Sequence, residues 1–149
     1  MSKDFSWAGA AEIAQAVGSG EASALAVIDA ALARIEKFNP TLNAFTAVTA
    51  ARARARARAI EAARSTGQQL GPLAGVPFAV KNLFDIEGLA TVAGSKINRA
   101  HAPAMPDQPL IERLEAAGAV LVGALNMGEY KSQPRALPAW FCQLSWRHG

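Results

Sequence analysis

Cysteine is nearly absent: Cys142 stands alone in 149 residues, so the chain can build neither an internal disulfide nor a Cys-based zinc site. A reducing, cytoplasmic setting is the expectation that follows. Long apolar runs are missing too. No stretch reaches the roughly 18 residues a membrane-spanning helix needs, and the opening MSKDFSWAGA lacks the apolar centre of a secretory signal. Histidine is limited to His101 and His148, neither near an acidic cluster with ligand spacing, so no metal is expected. The glycine-rich pieces Gly18-Ser19-Gly20 and Gly71 to Gly75 have neither a GK[ST] ending nor GxGxxG spacing, which argues against a phosphate loop and an organic cofactor. An excess of charge is also absent from most of the chain: residues 1–130 hold 12 basic and 12 acidic residues, and the net +3 comes from Lys131, Arg135 and Arg147.

What is present is a 51% hydrophobic chain, the composition of one folded domain or of part of a larger one. Ser6 is placed to cap a helix over about 7–17, stopped at Gly18-Ser19-Gly20. Ser23 is placed to cap a second over about 24–38, stopped by Asn39-Pro40. Leu25, Ile28, Leu32, Ile35 and Phe38 recur at intervals of three and four, which draws an apolar stripe facing a core. A third helix is expected over 44–65, because the run is nearly free of breakers and ends before Gly67.

Within that run Arg52, Arg54, Arg56 and Arg58 alternate with alanine. At 100° per residue the spacing distributes them over two faces and makes no basic stripe. With no interleaved aromatics and a neutral main body, they read as a solvated helix surface, and nucleic acid is not an expected partner.

The pattern changes after residue 66. Val76, Phe78 and Val80 alternate with Pro77, Ala79 and Lys81, which reads as a strand with the donor-less Pro77 at its start or on an unpaired side. A turn at Gly88 and a short extended piece at Thr91-Val92-Ala93 follow. Asp107-Gln108-Pro109 opens a helix with Leu110, Leu114 and Ala117 facing inward and Gly118 closing it. Ala119 to Gly123 is an apolar run of buried-strand length. A helix between two strands implies a parallel connection. The expected fold is α/β, with the helices of 1–66 packed on the start of a sheet built by 67–130.

Lys81 ends its strand amid apolar, glycine and proline residues. Burial disfavours the charged form of an amine, which would make this lysine a usable general base near pH 7. A snorkelling surface lysine is the plainer alternative. Beyond Tyr130 the character changes again: Lys131 to Gly149 holds Trp140 and Trp146, Cys142, two prolines and no acid. We read 131–149 as a divergent, frame-shifted ending of a longer gene, against the alternative of a genuine C-terminal interaction peptide.

The run Gly71-Pro72-Leu73-Ala74-Gly75-Val76-Pro77-Phe78-Ala79-Val80-Lys81-Asn82-Leu83-Phe84-Asp85 resembles the opening of the amidase signature family. So do Gly88, Thr91 to Ser95, Arg113-Leu114, Ala117 to Gly123 and Asn126-Met127-Gly128-Glu129-Tyr130. The helices from Ser23 to Phe45 resemble the family's N-terminal part. Asn82 stands where Asp is commoner in the family, and with Ser95 to Arg99 it looks most like the amidase subunits that hydrolyse carboxybiuret.

The resemblance implies the amidase signature fold, with a mixed sheet, of which 1–130 would form the N-terminal part. It implies a Ser-cisSer-Lys triad in which Lys81 is the base, acting on small amides or urea-like compounds. Both serines belong to a GGSSGG-like run found nowhere in these 149 residues, and Ser95 and Ser132 do not match it. Ser95 is instead expected to bond within its Gly94 turn. Glu129 is a candidate pocket-lining residue or a solvated turn. Expected partners are a small-molecule amide, with a small partner subunit or a second copy of the chain also open. One alternative is the glutamine-hydrolysing component of a tRNA-dependent amidotransferase. The other is an inactive fragment whose helices only bind a partner.

Overall fold

The computed structural model describes residues 5–95, 98 and 100–127. Four helices and three strands follow one another as α1 (Ala10–Ser19), α2 (Ala24–Leu42), β1 (Phe45–Val48), α3 (Ala50–Ser65), β2 (Pro77–Lys81), α4 (Pro109–Ala116) and β3 (Val120–Leu125). The sheet order is β1-β3-β2, with β3 parallel to β2 and antiparallel to β1. The mixed α/β architecture is the one expected. The expectations for 131–149, and for Glu129, Ser132, Cys142 and His148, lie outside the described residues.

Strand β3 is central and buried throughout Val120 to Ala124, as its unbroken apolar run requires. On one side Val120 and Val122 join Val17, Ile28, Leu32, Ala53, Ala57 and Ile60 from α1, α2 and α3. On the other, Leu121 and Ala124 pack with Val80, Ile86 and Ile111. The alanines at 53 and 57, both fully buried, let α3 lie close against the sheet.

Several local expectations change. Strand β1 replaces the start of the expected 44–65 helix, because Phe45 to Val48 pair with the edge of β3 and tertiary pairing outweighs helix propensity. Thr49 then spends its hydroxyl on the Leu121 carbonyl at 2.9 Å instead of capping α3. Helix α1 starts at Ala10 after Gly9, not under a Ser6 cap, because residues 5–8 close a turn through Ala8 N–H to Phe5 O. Helix α2 runs past Asn39-Pro40 to Leu42. Pro40 removes one donor near the end, and the left-handed Asn43 closes the last turn by donating to Asn39 O at 2.7 Å. Ser23 does cap α2, accepting from Ala26 N–H at 3.1 Å, and its own hydroxyl donates to Glu61 of α3.

Phe38 is 48% exposed, whereas Ile35 and Asn39 of the same helix are half-buried, Asn39 exchanging hydrogen bonds with the Phe45 main chain. In α4, which starts at Pro109 as expected, the core residue is Ile111, Leu114 and Ala117 are half-buried, and Leu110 is exposed. Residues 91–93 form no strand. Gly118 does close α4 in the left-handed conformation, at φ +99°.

Candidate active site

Residues 82–108 leave the end of β2 as one long excursion and return to α4. Its base is closed by Gln108 N–H donating to Asp85 O at 2.9 Å and by Gly88 N–H donating to Ala104 O at 3.1 Å. Asp107 adds to the closure, accepting Glu87 N–H at 2.7 Å. It also accepts from both terminal nitrogens of Arg52 on α3, and Arg52 reaches Glu115 of α4 at 2.9 Å. The guanidinium hydrogen bond holds the Asp107 carboxyl below the usual carboxylate range, against the opposing effect of its burial. Arg52 is in turn raised above its ordinary value, chiefly by the same bond to Asp107. Arg54 pairs with Asp29 at 2.7 Å, and Arg56 donates to the Glu115 carbonyl. Of the run expected to be a solvated surface, Arg52, Arg54 and Arg56 thus tie α3 to α2 and α4, while Arg58 is exposed as expected.

Lys81 occupies the C-terminal end of β2, opposite Leu125 of β3. It is exposed, so the burial expected of it is not supplied by the described residues: β2 is an edge strand, and its end opens outward. Directly after it, Asn82 is buried at 5% exposure. Its Nδ2 donates to Thr46 Oγ1 and its Oδ1 accepts Val92 N–H, both at 2.7 Å. Its main-chain N–H donates to Leu125 O at 2.9 Å and its carbonyl accepts Ala93 N–H at 2.7 Å. The end of β1, the end of β3 and the 92–95 turn therefore meet at the residue beside Lys81.

Ser95 is buried within that turn, its N–H donating to Val92 O at 2.9 Å after the left-handed Ala93 and Gly94. Its main-chain bonds are those of the turn expected around Gly94. At the end of β3, Asn126 donates to Ala44 O through its main chain and to Asn43 O through its side chain. His101 is exposed. Among the described residues no three His, Cys, Asp or Glu side chains converge on a point that could hold a metal ion, and no helix is long and apolar enough to cross a membrane. Sequence reasoning did not single out Thr46. The β-branched Thr46 and Val48 in the short run Phe45-Thr46-Ala47-Val48 were the available signal.

The model of the amidase family matches residues 26–141, which is most of the chain. The chain belongs to the amidase family. It is 56% identical over 119 residues to the AtzE component of the 1-carboxybiuret hydrolase of Pseudomonas sp. (strain ADP), covering 80% of this chain and 26% of that protein. It is 47% identical over 123 residues to the GatA-type component of the glutamyl-tRNA(Gln) amidotransferase of Anaeromyxobacter sp. (strain K), covering 83% and 24%. Among solved structures it is similar to a chain of a vestigial protein complex bearing on the evolutionary origins of an s-triazine catabolic enzyme, with an inhibitor bound. There the TM-score is 0.78 at 56% identity, over 79% of this chain and 26% of that one. The chain spans about a quarter of the length of the curated relatives it matches. The amidase fold is thereby shown for this portion, with α1 to α3 and the β1-β3-β2 sheet as its elements.

Proposed function

We propose that this chain is the part of an amidase that contributes the catalytic base, and that the base is Lys81. The single observation that supports the reading is the position of Lys81 at the C-terminal end of a strand parallel to its neighbour, in a chain of the amidase family. In open α/β sheets that end of the strands is where ligands bind.

In this reading a neutral Lys81 amine takes the proton of a bridging serine, which takes the proton of a nucleophilic serine as that oxygen attacks an amide carbonyl. The tetrahedral intermediate is held by backbone N–H groups. The relay then runs in reverse, the bridging serine giving one proton to the leaving nitrogen and regaining one from Lys81, and water releases the acyl group. Within these 149 residues the base is present and the GGSSGG-like run that would supply both serines is not. The 149-residue chain by itself is therefore proposed to be inactive, its Lys81 awaiting both a nucleophile and cover from solvent.

The substrate class is a small amide or urea-like compound, supported by the likeness to the carboxybiuret hydrolase component. A second reading, the glutamine-hydrolysing component of an amidotransferase, is supported by the likeness to the GatA-type proteins. Ammonia release from carboxybiuret or biuret, compared with release from glutamine, separates the two in a form that carries the serine-rich run. Carboxybiuret turnover supports the first, and glutamine turnover that rises with a partner protein supports the second. The third reading, a binding module alone, requires that such a form release ammonia from none of them.

A further inference from the structure

We propose that Asn82 is a positioning residue for Lys81 and that its place in the structure is built for a carboxamide and not a carboxylate. The proposal rests on the reading of Lys81 as the base. Every polar group of Asn82 is engaged, and by three separate segments: Thr46 of β1, Leu125 of β3, and the Val92 and Ala93 amides of the excursion. The pairing of β1 with β3 skips at Thr46, between Phe45 and Ala47. An extra residue of this kind re-aims its side chain, and here the hydroxyl meets the Asn82 amide.

The directions of these bonds identify the group required. Asn82 Nδ2 can only donate, so Thr46 Oγ1 accepts at 2.7 Å and its own hydrogen is free for the Ala124 carbonyl at 3.3 Å. Asn82 Oδ1 accepts the Val92 N–H. A carboxylate would keep the Val92 bond but would claim the Thr46 hydrogen and strip it from Ala124. It would also set a buried negative charge one residue from the amine, where it favours the charged form that cannot accept a proton. A carboxamide satisfies all of these partners and adds no charge beside the amine. The backbone from which Lys81 projects is thereby fixed to β1 and β3 on one side and to the 92–95 turn on the other.

The test uses the 149-residue chain and needs no turnover. Two quantities are read for Asn82→Ala, Asn82→Asp, Thr46→Val and Thr46→Ser: hydrogen exchange at Val92 and Ala93, and the rate at which acetic anhydride acylates Lys81 relative to Lys37 at fixed pH. Lys37 is the other lysine among the described residues, is exposed on α2 and serves as the internal reference. Asn82→Ala and Thr46→Val are expected to speed exchange at Val92 and Ala93 by about tenfold or more, as loss of a buried hydrogen bond would. Both are also expected to change the Lys81-to-Lys37 ratio. Thr46→Ser keeps the hydroxyl and is expected to restore both quantities to the parent values. Asn82→Asp is expected to lower the ratio by at least about threefold, because its charge stabilises the ammonium.

A Lys81-to-Lys37 ratio that stays at the parent value in Thr46→Val and Asn82→Asp, while only the melting temperature moves, would overturn the proposal and leave Asn82 a structural residue. If Asn82→Ala fails to fold, the Thr46→Val and Thr46→Ser pair decides by the same criterion. Failure of Lys81 as the base is a separate result, seen as an active Lys81→Ala enzyme, and leaves these labelling outcomes unaffected.

Discussion

Arg52 shows how much of a residue's role lies beyond its sequence neighbourhood. Its partners Asp107 and Glu115 are 55 and 63 positions away, so an alternating Arg-Ala run alone gives no sign of them, and a solvated surface is what local pattern suggests. Lys81 is the opposite case: its position at the end of a strand was legible from alternation alone, and its exposure is the plainer of the two readings the pattern left open. Asp107 gives a prediction with a definite sign. Its folded carboxyl titrates below its unfolded value of about 3.9. Its contribution is therefore fully present above about pH 4 and is lost as the pH falls through the lower, folded value. Asp107→Asn should cost about 1–3 kcal/mol at pH 7, because Arg52 loses its bidentate partner and the Glu87 amide loses a charged acceptor. The acid limb of a stability profile should flatten in the same variant. Urea titrations from pH 2 to 7 check both, and an unchanged acid limb would show that the Arg52–Asp107 pair is not coupled to folding.

Among the elements, β2, α4 and β3 were legible because period-2 alternation, an N-terminal proline and an apolar run are each strong local signals. β1 was not, because four residues beside a long alanine-rich helix carry too little periodicity against the propensity of the helix. Helix α1 does end at the expected Gly18-Ser19-Gly20 signal, with Gly20 left-handed; α2 passes its expected stop because Pro40 removes a single donor in the last turn and Asn43 closes the end. The pairing of β1 with β3 depends on Gly123, where an added Cβ would stand 2.4 Å from the Ala47 carbonyl. Gly123→Ala should push β1 off the sheet edge and cost about 1–3 kcal/mol. Hydrogen exchange at Ala47 and Val48 should accelerate well beyond that at Val80 in β2. Uniform acceleration across the sheet would instead mean that β1 is no separable element.

For the whole molecule, β3 is the organising strand: both of its edges are paired and both of its faces are packed. The fold class could be read because the α/β alternation and the family resemblance agree, and the family match confirms it. The setting of Lys81 could not, since alternation marks the end of a strand but not what covers it, and among the described residues Lys81 is exposed. The proposed boundary at residue 131 has its own check: deleting 131–149 should change the unfolding free energy by less than about 0.5 kcal/mol. A larger loss in a denaturant titration would place Trp140, Phe141 or Trp146 in the core.

The most direct test of Lys81 as the base is ammonia release from carboxybiuret, biuret, glutamine and simple aliphatic amides, measured on two forms side by side. One is the 149-residue chain; the other continues it through a serine-rich run of the family. The longer form should be active, and Lys81→Ala should lower its rate by at least about a hundredfold with the fold intact, in keeping with a general-base contribution of about 10²–10⁴. Lys81→Arg should be nearly as damaging, because a guanidinium stays protonated and cannot accept the serine's proton. The short chain should release no ammonia. An active Lys81→Ala enzyme, or hydrolysis by the 149-residue chain itself, would contradict the account.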